Sequence, residues 1–309
     1  MKTEQACWWR GIQAAENKVG EASSLIHVMD SAADDYPLLV RLIATRRRFV
    51  IRLAYNRNLH VWESRSAPHE KTKEFVASKQ AVCSRKIALS RRTLHPVSNR
   101  RPRYAVRKQR RTTLTFSATA VVFRRPSDCA TELPKTVSVN IVRAWEKKPP
   151  RNAVPVEWLL ITTEPVETKE QILAVVDHYR ARWRIEEYFK ALKTGCAYEQ
   201  RQLDSFKTLL NALAVFVPIA WKLLHLRTLS RSNFDSLVEP VLTKIQMHVL
   251  RRKLNVTLPP APSVREVLLA IARLGGHLKS NGDPGWLVLG RGYRELLTLE
   301  QGFGLDPFQ

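Results

Sequence analysis

The chain has 309 residues, of which 51 are Lys or Arg and 28 are Asp or Glu, for a formal net charge of +23. An apolar fraction of 44% excludes wholesale disorder and allows a packed core, in about two domains or in one with a long insertion. The charge makes a polyanion the leading partner, and the scattered Cys7, Cys83, Cys129 and Cys196, with no CxxC pair and no zinc-like Cys/His spacing, read as reduced thiols of a cytoplasmic protein.

In chain order, "TEQACWWRGIQAAENKVGEA" suits an amphipathic helix ending near Gly20. "SLIHVMD" reads as a buried strand with Asp30 at its C-terminal end, residues from Asp34 to Thr45 as a helix, and "RFVIRLA" as a second buried strand. Strand, helix, strand points to an α/β layer. From about Tyr55 to Pro155 the pattern is that of a β-rich insertion. Its stretch from Arg85 to Arg111 is dense in Arg and Lys, has no acidic residue, and reads as a loop or as partly disordered. Either it tracks DNA phosphates, with steep salt dependence, or it is a solvated loop. In "TTLTFSATAVVF", Leu114, Phe116, Ala118, Ala120 and Val122 share a face, as do Val137, Val139 and Ile141 in "TVSVNIV", and both look like antiparallel strands.

"VEWLLITTE" is a further buried strand, broken by Pro165. Thr168 with Gln171 is a capping box that opens a helix leading into "HYRARWRIEEYFKALKTG". Everything beyond about Ser205 looks helical, with a second capping box at Ser263 and Glu266 and a stop at Gly275-Gly276. The longest apolar run, Leu209 to Ile219, is too short to span a bilayer and reads as a buried helix, so no membrane partner is expected.

On a continuous helix at about 100° per residue, Tyr179, Arg182, Glu186 and Lys193 fall within about 60° of one another, with Trp183 and Lys190 beside them. Glu187 lies further round, so Glu186 shares the face of the Tyr, Arg and Lys. A carboxylate can bind a divalent metal and Arg and Lys bind phosphates, which together would make a DNA-cutting face. A surface helix laced with Glu–Arg pairs would carry the same letters.

The spacing Y-x(2)-R-x(3)-E-x(6)-K resembles the signature of bacterial insertion-sequence family four transposases, relatives of the transposon-five transposase. The whole stretch "WLLITTEPVETKEQILAVVDHYRARWRIEEYFKALKTG" resembles that family nearly throughout. The resemblance implies an RNase H-like core with an Asp-Asp-Glu triad binding Mg²⁺ or Mn²⁺, cutting transposon ends and joining them to target DNA. Asp30 matches the second Asp and Glu186 the Glu, although the family's Asp-Arg-Glu-Ala-Asp is here Asp30-Ser31-Ala32-Ala33-Asp34. Trp158 takes the place of an aromatic that stacks on a flipped base; a core tryptophan is the alternative. Arg52 matches an arginine near the flipped nucleotide, while Tyr179, Arg182, Lys190 and Lys193 would contact end DNA. The C-terminal helices resemble a dimerisation region, able to pair with a second copy or with a full-length transposase.

The expected fold class is therefore α/β, with an incomplete RNase H-like catalytic core at 1–54 and 156–204, a β-rich basic insertion at 55–155, and an all-helical, dimerisation-like region at 205–309. No strand-ending Asp precedes Asp30, so the expectation is an N-terminally truncated transposase that does not cut DNA alone. The competing expectation is a non-catalytic protein that binds DNA or inhibits a transposase; an RNA-binding protein is weaker, since no RNP1-like or KH-like motif occurs.

Overall fold

The computed structural model describes residues 4–20, 25–60, 71–89, 108–151, 153–231, 241–254, 258–278, 280 and 282–303. The chain divides into two units, Met1–Arg182 and Trp183–Gln309.

The first unit is built on a six-stranded sheet of order β1-β2-β6-β5-β4-β3: β1 Ile26–Met29, β2 Arg48–Arg52, β3 Cys83–Leu89, β4 Arg110–Arg124, β5 Thr136–Glu146 and β6 Glu157–Thr162. Only β1 and β2 are parallel, joined through helix α2, Tyr36–Ala44; the remaining pairs are antiparallel. Such a β-α-β unit needs a crossover helix, and Asp35 starts it by accepting the Leu38 N–H at 3.1 Å.

Both faces of the sheet are covered. On one, helix α4 (Lys169–Ala181) buries Ile172, Val175, Val176 and Tyr179 against Val50, Leu114, Phe116, Val142 and Leu160. On the other, α1 (Glu4–Val19), α2 and α3 (Thr72–Ala77) bury Trp9, Leu39, Leu42 and Val76 against Phe49, Ile51, Phe123, Ile141 and Ile161. The 15-residue β4 belongs to both cores. Leu114 and Phe116 face α4, but further along Val121 and Phe123 are buried on the opposite side, leaving Ala120 exposed. Leu114 to Val122 alternate onto a single face as expected, but that face is buried only over its first half, because the covering helices change sides.

The basic run is also corrected at both ends. Arg85 and Lys86 lie in β3 and Arg110 and Arg111 in β4, so these are strand residues and not loop; residues 90–107 lie outside the described residues. Two long-range ion pairs make strands possible there. Arg85 pairs with Asp177 of α4, and Arg110 with the buried Glu146 of β5.

The second unit holds α5 (Trp183–Lys190), a π-helical turn (Ala191–Gly195), α6 (Phe206–Leu229), α7 (Lys244–Leu254), α8 (Val264–Leu274) and α9 (Trp286–Phe303). Leu223, Leu250, Val267, Ile271, Leu289 and Leu296 form its core. Both expected capping boxes are present, Thr168 with Gln171 on α4 and Ser263 with Glu266 on α8. Gly276, at φ +88°, ends α8 in the left-handed region that suits glycine. Helix α6 departs from expectation. It has 24 residues, long and apolar enough to cross a membrane by length and composition, and only 17% of its most apolar window is buried. Ala220, Leu223, Leu224 and Leu226 face the core, whereas Leu209, Leu210, Val217 and Trp221 are exposed.

Glu146 is the polar linchpin of the β4–β5 pair. Its carboxylate accepts from Arg110, from Thr112 Oγ1 at 2.5 Å and from the Val156 N–H at 3.2 Å. The Arg110 guanidinium, ahead of the other donors, outweighs burial and lowers its pKa from 4.5 to about 2. A depressed carboxylate stabilises the fold above its unfolded pKa and loses that contribution as pH falls through the folded value. Urea denaturation should therefore show stability falling between pH 4.5 and about 2. Glu146→Ala, which strands Arg110, should cost on the order of 3 kcal/mol at pH 7 and remove most of that pH dependence.

Candidate active site

The site residues of the first unit collect at one end of the sheet. In the parallel pair, Met29 stands opposite Ile51, so the next step places Asp30 at the end of β1 and Arg52 at the end of β2. Arg52 pairs across to Leu160 of β6, and Trp158 lies two residues before Leu160. Because β6 is antiparallel to β2, Trp158 projects beyond that same end. Helix α4 leaves the far end of β6 and runs back, which brings Tyr179 in its last turn against Trp158, with ring centroids 5.9 Å apart and planes at 59°. Arg182 caps α4, its backbone N–H bonded to the Tyr179 carbonyl at 3.2 Å. Asp30, Arg52, Trp158 and Tyr179, distant in sequence, thus share the carboxyl-terminal edge of the parallel strands, where open α/β sheets carry their ligand sites.

Asp30 sits in extended backbone and caps the short turn Ser31–Ala33, with Oδ1 accepting the Ala32 N–H at 2.8 Å. The neighbouring Asp34 has a different role. It is fully buried, accepts from Arg57 Nη1 at 2.6 Å, from the Ala54 N–H at 2.6 Å and from the Tyr55 N–H at 3.0 Å, and so anchors the loop after β2. Trp158 is half-buried against the α4 core and Tyr179 is nearly buried, so both helix packing and an open edge are served by the same pair.

Glu186, Lys190 and Lys193 belong to the second unit. The single continuous helix of the sequence reading is two helices, α4 and α5, with Arg182 between them, and the π-helical turn follows. In that turn the Cys196 N–H bonds the Ala191 carbonyl five residues back at 2.9 Å. A π turn carries more residues per revolution than an α-helix, so it shifts Lys193 in phase relative to Glu186. A wheel of constant pitch through 179–193 therefore does not carry past Lys190, although the backbone at Arg182 stays helical at φ −53° and ψ −30°.

Glu187, in contrast, is committed to holding the second unit together. It accepts from Lys190 Nζ at 2.8 Å and from the Trp286 indole of α9, and lies beside Arg227 of α6. Burial raises its pKa, but Lys190, Arg227 and Trp286 together outweigh that and hold it below the usual carboxylate range. Arg227 stacks over Trp286 at 4.3 Å, and burial lowers its own pKa. Of the two adjacent glutamates, it is Glu187 that lies against α6 and α9. Lys190 and Lys193 are exposed and ion-paired, to Glu187 and to Glu199 at 2.6 Å. Exposed pairs of this kind contribute little to stability and exchange readily for a phosphate.

A family model for the transposase DDE domain matches residues 19–215, more than half of the chain and a span that includes both Asp30 and Glu186. The chain belongs to the transposase DDE domain family. Transposition of DNA is accordingly the general function of this transposase, and DNA is its partner. Domains of this family generally depend on divalent metal. Among the described residues, no group of three or more His, Cys, Asp or Glu side chains is placed to hold an ion.

Sequence reading missed what anchors α5. A Cβ on Gly290 of α9 would meet the Gly195 carbonyl oxygen at 1.8 Å, so α9 and the π turn touch backbone to backbone. Gly292 is equally confined, since a Cβ there would meet the Ile271 carbonyl oxygen of α8 at 1.8 Å. The available signal was the pair of glycines inside the helical pattern "LVLGRGY", where glycine costs stability unless close packing demands it. Gly290→Ala should destabilise the second unit by about 1–3 kcal/mol in urea denaturation, whereas Gly302→Ala, in open space on the same helix, should be neutral or slightly stabilising.

Proposed function

We propose that this transposase is of the Asp-Asp-Glu cut-and-paste type, with an RNase H-like core in which Asp30 and Glu186 are metal-binding carboxylates. The observation that carries the reading is the gathering of Asp30, Arg52, Trp158 and Tyr179 at one sheet end, within the span of the family match. In this reading, Trp158 stacks on an unpaired base at the transposon end, backed by Tyr179. Arg52 and Arg182 bind the flanking phosphates, and Lys190 and Lys193 exchange their glutamate partners for DNA. Self-association, or association with another transposase subunit, would use the helices of residues 205–309, and the exposed apolar side chains of α6 offer surface for it.

The donor type fits Mg²⁺ or Mn²⁺, which prefer carboxylate oxygens. When bound, such an ion activates the attacking water or hydroxyl and stabilises the leaving oxygen. The donor number is short. Two-metal displacement would need more carboxylate donors than Asp30 and Glu186 supply, and the nearby Asp34 is buried against Arg57. The described residues therefore hold one ion at most in this reading, and strand cleavage requires a third carboxylate from outside them.

Manganese electron paramagnetic resonance and a DNA-nicking assay together test this. The purified chain should bind one Mn²⁺ weakly, bind DNA and leave it uncut; Asp30→Asn and Glu186→Gln should each weaken Mn²⁺ binding about tenfold or more. Unchanged Mn²⁺ binding in both variants would remove the ligand assignment. Mg²⁺-dependent nicking that disappears in Glu186→Gln would instead show that the ligand set is complete.

A further inference from the structure

One surface of the first unit has no role in the site described above. Along β3, Ser84, Lys86 and Ala88 alternate outwards and are exposed, while Ile87 and Leu89 face the α4 core. On β4, Arg111, Thr113 and Thr115 stand on the same outward face, Thr113 paired with Lys86 and Arg111 with Ala88. Thr115 pairs on its other side with Trp145 of β5. Helix α3 reaches this face only as far as Arg143, whose Nη1 bonds the Ala77 carbonyl at 3.3 Å. Beyond Arg143 no described helix packs on it, and Trp145 remains partly exposed.

The chemistry of this bare face is specific. Lys86, Arg111 and, just past the end of β5, Lys147 are exposed and have no ion-pair partner among the described residues. Arg143 lies over the Trp145 ring at 4.4 Å and pairs with Glu157 at 2.8 Å, and Glu157 is the carboxylate opposite Trp145 on β6. A tryptophan half-buried on a sheet among unpaired cations is what an aromatic platform for nucleic acid needs: a ring for a base and charges for the phosphates on either side. Duplex DNA hides its base faces in the stack, so it could use the cations and not the ring.

We infer that this face, centred on Trp145 with Lys86 and Arg111, binds single-stranded DNA. The inference rests on the reading of the protein as a DNA-acting transposase, but not on the assignment of Asp30 or Glu186. A strand lying across β3–β4–β5 stacks a base on the Trp145 ring face turned away from Arg143 and sets its phosphates against Lys86, Arg111 and Lys147. Such a surface would hold the unpaired strand that end processing produces, on elements distinct from the Asp30 edge.

Fluorescence anisotropy with a labelled thymidine 20-mer and with a duplex of equal length, each over a salt series, tests the inference. Trp145→Leu keeps the bulk on Thr115 and should weaken single-strand binding about tenfold while leaving duplex binding unchanged. Lys86→Glu with Arg111→Glu should weaken both and flatten the slope of log Kd against log salt. Trp145→Tyr should recover most of the lost affinity, which a purely structural tryptophan would not do. Wild-type single-strand affinity in both Trp145→Leu and the double variant would overturn the inference and leave the transposase reading standing. Tighter binding of a uridine 20-mer RNA would overturn the assignment to DNA. Loss in these variants combined with metal binding indifferent to Glu186→Gln would do the reverse, sustaining the platform and removing the proposed catalytic ligand.

Discussion

The pairing of β2 with β6 is the interaction on which the rest of the first unit depends. It joins Val50 to Thr162 and Arg52 to Leu160 across more than a hundred residues of chain. The junction is fixed by side chains as well as by the ladder. Thr162 Oγ1 donates to the Phe49 carbonyl at 2.6 Å, and Arg48 forms a two-pronged pair with Glu164 at 2.9 and 2.5 Å. Because β6 also pairs with β5, this one seam attaches β3, β4 and β5 to the parallel β1–β2 pair. It also sets where α4 begins, and therefore where Tyr179 ends up. A slip of one residue would turn Leu160 and Trp158 to the opposite face and separate Trp158 from Tyr179.

In a chain of net charge +23, carboxylates are scarce, and the structure spends several of them on its own cations. Asp34 neutralises Arg57, Glu146 neutralises Arg110, Glu164 holds Arg48, and Glu187 lies beside Arg227 of α6. Each sits at a junction between elements and is largely buried or half-buried, where an unpaired partner would be costly. This sorting separates Asp30 from Asp34 and Glu186 from Glu187 more sharply than sequence position does. In the first pair Asp34 is consumed by packing while Asp30 caps a turn at the end of β1, and in the second it is Glu187 that lies against α6 and α9.

Local signals in the sequence were read well where a local cause is sufficient. The capping boxes at Thr168 and Ser263, the stop at Gly276 and the short apolar strand ending at Asp30 all depend on residues within a few positions of one another. What stayed hidden depends on distant partners. Arg85 and Arg110 look like loop residues until Asp177 and Glu146 are beside them. The π turn after Lys190 requires Gly290, far along the chain, to press on Gly195. The exposure of α6 follows from which of its faces α8 and α9 reach, and its composition, apolar all round, gave no indication of that.

Tyr179, Arg182, Glu186 and Lys193 accordingly fall on two separately packed segments. The first segment is positioned by the sheet, since Tyr179 is held in the α4 core and rests on Trp158. The second segment is positioned by helices, since α5 is tied to α9 through Glu187 and Trp286 and ends in a turn clamped by Gly290. A continuous helix would fix all four residues through backbone hydrogen bonds alone, and any four residues at that spacing would then do. Two separately anchored segments require more. Each segment carries its own packing, Trp158 against Tyr179 in one case and Gly195 against Gly290 in the other.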